Sequence, residues 1–236
     1  MTKGPEMTKK LFAVLDVYRE AGAHSAAMNM AIDEALLEGL TVPAVRFYCW
    51  QSPALSFGYF GRFADVAKYQ GNRDLVRRWT GGGIVFHGED LTYSILIPAN
   101  DAAFAESSMW IYEKIHRALC DALNRNGVRT ELVESGRCVD RTPQRGVPTY
   151  SCFANPVLAD VMINGRKVAG AAQRRTRRGL LQQGSIQGID LENGLAQHFA
   201  RELSADRSER KLGEILNRAR ELAEQKYGTD AWLRKR

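Results

Sequence analysis

Apolar residues recur along the chain at two spacings, one typical of strands and one typical of helices. Apolar runs predict strands at residues 11–17, 44–50, 53–60, 91–98, 128–133 and 179–187. Apolar residues at every third or fourth position predict one helix from Ser25 to Gly39, a second from Ser107 or Ser108 to Asn126, and a third with its stripe at 212–223. This order lacks a regular strand–helix alternation, so we expect an α+β or mixed α/β fold.

A strong turn signal lies between the apolar runs "VLADVMI" and "RKVAGAAQ". The two residues between them are Asn164 and Gly165, and both tolerate the positive φ angles that a type I′ turn needs. The sequence therefore predicts a hairpin whose returning strand begins with Arg166 and Lys167.

Composition is that of an ordinary globular protein, with 44% apolar and 25% charged residues in a chain of 236. We expect a single domain over residues 11–236, preceded by a flexible segment over residues 1–10. No apolar run approaches the roughly 18 residues of a membrane helix, and the polar N-terminus does not resemble a signal peptide. We therefore expect a cytoplasmic protein without a membrane partner.

The cysteines and the net charge narrow the chemistry further. Cys49, Cys120, Cys138 and Cys152 form no C-x-x-C pair, which favours reduced thiols and indicates no metal site. A net charge of +6 favours acidic partners without choosing among them.

The segment "RRWTGGGIVFHGEDLTYS" (77–94) places two arginines beside three consecutive glycines. Glycines let backbone N–H groups approach a ligand closely, and Arg77 or Arg78 could clamp a carboxylate, phosphate or carbonyl. The segment is neither a P-loop nor a dinucleotide fingerprint. Taken alone, it fits equally a glycine hairpin with solvated arginines.

Two segments together resemble a known family. Residues 77–94 resemble the R-R-x-[ST]-G-G-x-x-V-x-H signature of the lipoate and biotin protein ligase and octanoyltransferase family, and "DVMINGRKVAGAAQ" resembles its second signature, G-[RK]-K-[IV]-x-G. Residues 28–37, 46–60 and 226–233 also resemble this family. The resemblance implies a class II synthetase-like catalytic domain, with a mixed sheet, flanking helices and a pocket for a lipoyl or octanoyl chain.

Carried over residue by residue, the resemblance implies a catalytic role for Lys167, which would contact the activated acyl group. It implies substrate-binding roles for Arg78, Thr80, Gly81, Gly82, Gly83, His87, Gly165 and Gly170. For His87, support of the glycine loop is favoured over assistance in proton transfer.

Cys152 lies 167 − 152 = 15 residues before Lys167, and its surroundings "CFANP" resemble the C-F-x-x-P of cysteine-dependent octanoyltransferases acting on the glycine cleavage carrier. "EDLTYS" resembles the E-L-T-Y-S of the same enzymes. The resemblance implies that Cys152 takes octanoyl from an acyl carrier protein as a thioester, without a cofactor. A lysine of a lipoyl domain or of the glycine cleavage H protein would then receive it, and a cation such as Lys167 would favour the reactive thiolate.

Alternatives stay open at this point. Gly83 matches many ligases where these octanoyltransferases often have Arg, so an ATP- and Mg²⁺-dependent lipoate-protein ligase, alone or as part of a bipartite enzyme, is the second hypothesis, and a lipoyl or octanoyl amidotransferase is a third. Cys152 in isolation would fit a small buried apolar residue, as Cys49 and Cys120 do.

The basic stretch at 166–178 is either a solvated rim or a docking patch for acidic carrier domains. It lacks the stacking aromatics of a nucleic-acid site, so no nucleic-acid partner is expected.

Overall fold

The computed structural model describes residues 10–20, 22–134, 156–189 and 194–235. Cys138, Cys152 and the expected flexible segment up to residue 9 lie outside the described residues. No helix within the described ranges is long and apolar enough to cross a membrane.

Strands and helices alternate irregularly along the described chain. The strands are β1 (Val14–Arg19), β2 (Ala44–Tyr48), β3 (Ala54–Phe57), β4 (Asp74–Arg77), β5 (Ile84–His87), β6 (Leu91–Pro98), β7 (Glu131–Leu132), β8 (Val161–Ile163), β9 (Arg166–Arg175), β10 (Gly179–Ile186) and β11 (Asp206–Arg210). The helices are α1 (Ala26–Gly39), α2 (Ser108–Arg125), α3 (Leu195–Leu203), α4 (Ile215–Leu222), which continues as a π-helical turn over Ala223–Tyr227, and α5 (Asp230–Leu233).

Two sheets form the centre. The larger has the strand order β11-β1-β2-β6-β10-β9-β8-β7, and the smaller has the order β4-β3-β5. In the larger sheet β11, β1 and β2 run parallel, whereas β2 pairs antiparallel with β6 and the antiparallel pairing continues to β7. The structure therefore confirms the expected mixed α/β fold.

Apolar clusters cover both faces of the larger sheet. Leu119 and Leu123 of α2 and Phe199 of α3 pack with strand residues on one face, while Leu36 of α1 and Leu222 of α4 belong to the cluster on the other. Strands between two such layers are buried on both sides, as the fully buried β2 and β10 are. The polar residues Arg46, Gln182, Gln183 and Ser185 of these strands are buried too, so neither strand shows the apolar–polar alternation of a half-exposed strand.

The predicted helix starts and the hairpin are confirmed. The hydroxyl oxygens of Ser25 and Ser107 accept hydrogen bonds from backbone N–H groups in the first turns of α1 and α2. Asn164 and Gly165 have φ angles of +49° and +76° between β8 and β9, as a type I′ turn requires.

Several predicted strands are shorter in the structure. The run at 53–60 yields only β3, because the chain turns at Gly58, where an added Cβ would lie 2.0 Å from the Gly82 carbonyl oxygen. Likewise 11–17 begins as a strand only at Val14, and 128–133 gives the two-residue β7. Strand β11 was not predicted because all five of its residues are exposed, so it carries no apolar pattern.

Candidate active site

A cavity that is open to solvent lies between the two sheets and is lined by residues of both. Its lining comes from α1, from β3 and β5 of the smaller sheet, and from β6, β9 and β10 of the larger one, with residues near the ends of β2 and β4. Arg78, His87, Lys167 and Gly170, four of the predicted site residues, are in this lining. Met30, Val85, Ala171 and Ala172 add apolar surface. Such a mixture suits an acyl chain with a polar reacting end.

Lys167 carries its ammonium group into this cavity from β9. Its side chain is 5% exposed, and Nζ lies 2.7 Å from Oδ2 of Asp160, a fully buried residue. A buried charge is tolerated when it is paired and hydrogen-bonded. The pair therefore fixes the ammonium group at the cavity wall.

Asp160 is itself held by a second set of hydrogen bonds. The Tyr112 hydroxyl of α2 donates to Oδ1 at 2.6 Å, and the Val157 backbone N–H donates to Oδ2 at 2.7 Å. The Tyr112 oxygen also accepts a hydrogen bond from the Ala171 N–H at 3.1 Å. Burial and the neighbouring Asp160 carboxylate raise the pKa of Tyr112, so its hydroxyl stays a donor. Helix α2 thereby orients the partner of Lys167.

Gly170 makes room for the lysine side chain. A Cβ added there would lie 2.4 Å from Cε and 2.5 Å from Nζ of Lys167, and 3.0 Å from Oδ1 of Asp160. The Lys167 arm therefore passes directly over the Gly170 backbone. Gly165, the second residue of the turn before β9, is exposed and shapes the hairpin rather than the cavity lining.

The glycine segment, residues 80–83, contacts the cavity lining through Arg78. Arg78 Nη2 donates to the carbonyl oxygens of Gly81 and Gly83, at 2.9 and 2.8 Å. Gly82 has a φ of +82°, which favours glycine. Of this segment, Arg78 lines the cavity, whereas Thr80, Gly81, Gly82 and Gly83 are not among the described residues of the lining.

A buried polar network connects the glycine segment to α1. The Thr80 hydroxyl donates to Gln183 Oε1 at 2.8 Å, and Gln183 Nε2 donates to Asp33 Oδ2 at 2.7 Å. Asp33 Oδ1 accepts from Nη1 of the fully buried Arg46 at 2.8 Å. Because Gln183 also lines the cavity, this network fixes both the glycine segment and the cavity floor.

Arg77 points away from the cavity, as neighbouring residues of a strand do. Its guanidinium donates to the backbone carbonyl oxygens of Tyr59, Gly61, Trp232, Leu233 and Lys235. Of the two arginines considered from the sequence as ligand clamps, Arg78 is therefore the one at the cavity.

His87 lines the cavity from the end of β5, in the smaller sheet. Its Nδ1 lies 2.8 Å from Asp90 Oδ2, its Nε2 lies 2.7 Å from Ser56 Oγ, and its ring stacks on Trp50 with centroids 4.0 Å apart. Burial lowers the pKa of His87 despite the adjacent Asp90 carboxylate, so the imidazole is neutral at neutral pH. Burial raises the pKa of Asp90, but hydrogen bonds from His87, Ser185 and Thr92 outweigh it and the net shift is downward.

Outside the cavity, the structure differs from the sequence-based expectations for Cys49 and for the basic stretch at 166–178. Cys120 is buried as expected, but Cys49 is exposed because β2 ends one residue before it.

In the basic stretch at 166–178, several charged side chains also form contacts within the chain. Lys167 is buried, Arg175 donates to the Phe104 and Glu106 carbonyl oxygens, and Arg178 pairs with Glu38 at 3.1 Å. Among the described residues, no group of three or more His, Cys, Asp and Glu side chains is placed to hold a metal ion.

Sequence reasoning did not find Ser56, Asp90, Tyr112 or Asp160. Asp160 gave a usable signal, because it is an acidic residue inside the apolar run "VLADVMI", seven residues before a lysine. A carboxylate in such a run requires a partner. Tyr112 gave none, because it reaches the site from a helix 48 residues away in sequence.

Comparison with known proteins identifies relatives over most of the chain. Octanoyltransferase LipM of Brevibacillus brevis is 36% identical over 172 residues, covering 70% of this chain and 62% of that protein. Octanoyltransferase LipM of Lysinibacillus sphaericus is 34% identical over 212 residues, covering 84% of this chain and 75% of that protein. The match thus spans less than two thirds of the first relative's length.

Solved structures share the fold at lower identity. Lipoate-protein ligase A bound with ATP superposes with a TM-score of 0.71 at 21% identity, covering 94% of this chain and 98% of that one. A bipartite lipoate protein ligase of Thermoplasma acidophilum superposes with a TM-score of 0.68 at 21% identity, covering 94% and 96%. The model of the lipoyl protein ligase A/B catalytic domain matches residues 25–226, and the chain belongs to this family.

Proposed function

We propose that this protein is an octanoyltransferase of lipoate biosynthesis. It takes octanoyl from the thioester of an acyl carrier protein and passes it to a lysine of a lipoyl domain, in the cytoplasm and within one catalytic domain over residues 11–236. The observation that carries this proposal is the likeness to octanoyltransferases named LipM, at 34–36% identity over 70–84% of the chain. The acceptor we expect is a lipoyl domain or the glycine cleavage H protein.

The cavity supports this chemistry. Attack on a thioester carbonyl develops negative charge on its oxygen, and a fixed cation beside that oxygen stabilises it. Lys167 is such a cation, since Asp160 and Tyr112 hold it in one position. Arg78 is a second cation in the same lining.

Cys152 is the nucleophile of this proposal, on the strength of its sequence context. Its thiolate would attack the thioester carbon, forming a new C–S bond while the carrier thiolate leaves. The acceptor amine would then attack the same carbon, forming the amide and releasing Cys152. This sequence needs neither ATP nor Mg²⁺, because a thioester is already activated.

Intact-mass measurement after mixing the protein with octanoyl carrier protein tests the proposal. We expect an octanoyl adduct on the unaltered protein and on Cys120→Ala, but none on Cys152→Ala. An adduct on Cys152→Ala would contradict the covalent route. Because the fold is similar to that of an ATP-bound ligase, the experiment needs a second reaction mixture. In that mixture free octanoate or lipoate, ATP and Mg²⁺ replace octanoyl carrier protein. Modification of a lipoyl domain in that mixture alone would favour the ligase hypothesis.

A further inference from the structure

His87 is held in one orientation and one tautomer. Asp90 Oδ2 lies 2.8 Å from Nδ1, and Oδ2 also accepts hydrogen bonds from the hydroxyls of Thr92 and Ser185, at 2.8 and 2.7 Å. A carboxylate that collects donors in this way is an acceptor toward the ring as well, so the proton of the neutral imidazole is on Nδ1. The lone pair of Nε2 therefore points toward Ser56.

Ser56 extends this arrangement toward Arg78. Arg78 Nη1 donates to Ser56 Oγ at 2.7 Å, and a guanidinium has no lone pair to accept a bond in return. The Ser56 proton is therefore directed to His87 Nε2, 2.7 Å away. Donation runs in one direction from Arg78 through Ser56 to His87, and the second ring nitrogen donates to Asp90.

The remaining titratable groups in the cavity lining do not offer a lone pair. The described ones are Tyr48, Arg78, His87 and Lys167. Arg78 is a cation, and Lys167 is paired with the Asp160 carboxylate. Burial, which is the largest cause, raises the pKa of Tyr48 well above its ordinary value, so it stays a phenol. Among these groups His87 alone is a neutral nitrogen base.

Amide formation from a thioester requires such a base, because the attacking nitrogen must lose a proton. We propose that His87 is the general base for attack by the acceptor amine, that Ser56 relays the proton to it, and that Asp90 is a positioning residue for the ring. This inference rests on the proposed function and gives roles to Ser56 and Asp90, to which the sequence analysis assigned none. Ser56 and His87 both form the cavity wall, and Ser56 is shielded from solvent, so bulk water does not compete for the relayed proton.

The step balances as follows. The neutral amine nitrogen attacks the thioester carbon, and a C–N bond forms. The surplus N–H proton passes to Ser56 Oγ while the Ser56 proton passes to His87 Nε2, giving an imidazolium beside Asp90. The C–S bond then breaks with its electron pair on sulfur, and the imidazolium returns the proton through Ser56 to the thiolate. Amine and thioester become amide and thiol.

The environment of the ring sets the pH dependence of this step. The charged groups that face it are Asp90, Arg78 and Arg73, and Arg73 donates to the His87 carbonyl oxygen at 3.2 Å. Burial has the largest effect and lowers the pKa of His87 below its ordinary value of 6.5. Protonation of the imidazole should therefore slow amide formation only on the acid side of 6.5. This fall, the acid limb assigned to His87, adds to the gradual loss of neutral acceptor amine, whose ordinary pKa is about 10.4.

Single-turnover transfer from octanoyl carrier protein to a lipoyl domain tests the proposal, with the carrier-derived adduct and the octanoylated lipoyl domain followed separately by mass. We expect His87→Gln to slow lipoyl-domain octanoylation by about 10²-fold or more, to form the adduct at the normal rate, and to lose the acid limb of the pH profile. Ser56→Ala, which removes one hydroxyl, should slow the same step by roughly tenfold and decides the question if His87→Gln does not fold. His198→Gln, on α3, is the matched control and should transfer normally.

Normal transfer by both His87→Gln and Ser56→Ala, or an unchanged acid limb in His87→Gln, would overturn the general-base role. Equal slowing of adduct formation and of transfer would also overturn it, because that pattern indicates a structural role. If the unaltered protein forms no octanoylated lipoyl domain, the proposed function itself fails, and that outcome is separate from the behaviour of the variants.

Discussion

Gly170→Ala should displace Lys167 while leaving the fold in place. The new Cβ would lie 2.4 Å from Lys167 Cε. An ordinary carbon–carbon contact is about 3.7 Å, so the lysine arm must move by roughly 1.3 Å. The atoms that give way are the far end of a flexible side chain, so the β9 backbone need not shift. A displacement of this size moves Nζ from its 2.7 Å contact with Asp160 toward the limit of an ion pair.

Misplacing a catalytic group by about 1 Å can cost on the order of 10²-fold in rate, or roughly 2.7 kcal/mol of barrier. We therefore expect single-turnover octanoyl transfer to fall by about 10²-fold, with little change in the apparent affinity for octanoyl carrier protein. Gly39→Ala is the matched control, because an added Cβ there meets nothing within 4 Å.

A double-mutant cycle decides whether Gly170 acts through Lys167. If it does, adding Gly170→Ala to Lys167→Ala should cause no further loss. Additive losses, or a Gly170→Ala variant as active as Gly39→Ala, would refute the reasoning. Thermal unfolding of each variant separates loss of activity from loss of structure.

Three further predictions concern stability. Gly165→Ala places a Cβ at a φ of +76° and should lower the free energy of unfolding by about 1 kcal/mol, measured by urea titration, whereas Gly39→Ala should not. Asp33→Ala leaves buried Arg46 without a main partner and should cost about 3–5 kcal/mol, while Asp65→Ala, in the exposed pair with Arg62, should cost under about 1 kcal/mol; similar losses would contradict the buried network. Burial lowers the pKa of His116 from 6.5 to about 4, so its neutral form is favoured in the folded state, and stability present above pH 6.5 is lost as the pH falls toward 4. The difference corresponds to roughly 3 kcal/mol, and urea titrations at several pH values should show a flatter acid limb in His116→Gln than in the unaltered protein.

The sequence predicted the fold class because its strands and helices carry strong periodic signals. Ser25, Ser107 and the Asn164–Gly165 turn were found because caps and tight turns depend on local chemistry. Strand β11 was missed because an exposed polar edge strand has no apolar pattern to detect. Local sequence signals therefore predicted the presence of most helices and strands well, but predicted poorly where the strands begin and end.

The site was predictable in part for the same reason. Arg78, His87, Lys167 and Gly170 lie in short sequence motifs, and the structure places all four around one cavity. Tyr112 and Ser56 are distant in sequence from the groups they hold, and a single sequence contains no sign of such tertiary contacts. The direction of Arg77 was also unpredictable, since either arginine of the pair could have faced the ligand.

Two adjacent arginines at the end of β4, Arg77 and Arg78, point in opposite directions and hold two different parts of the chain. Arg78 donates a hydrogen bond to the glycine segment, while the Arg77 guanidinium donates hydrogen bonds to backbone carbonyl oxygens within residues 232–235. One peptide unit thus separates the arginine that holds residues 232–235 from the arginine that lines the cavity. Changes in residues 232–235 therefore need the same kinetic controls as substitutions in the pocket.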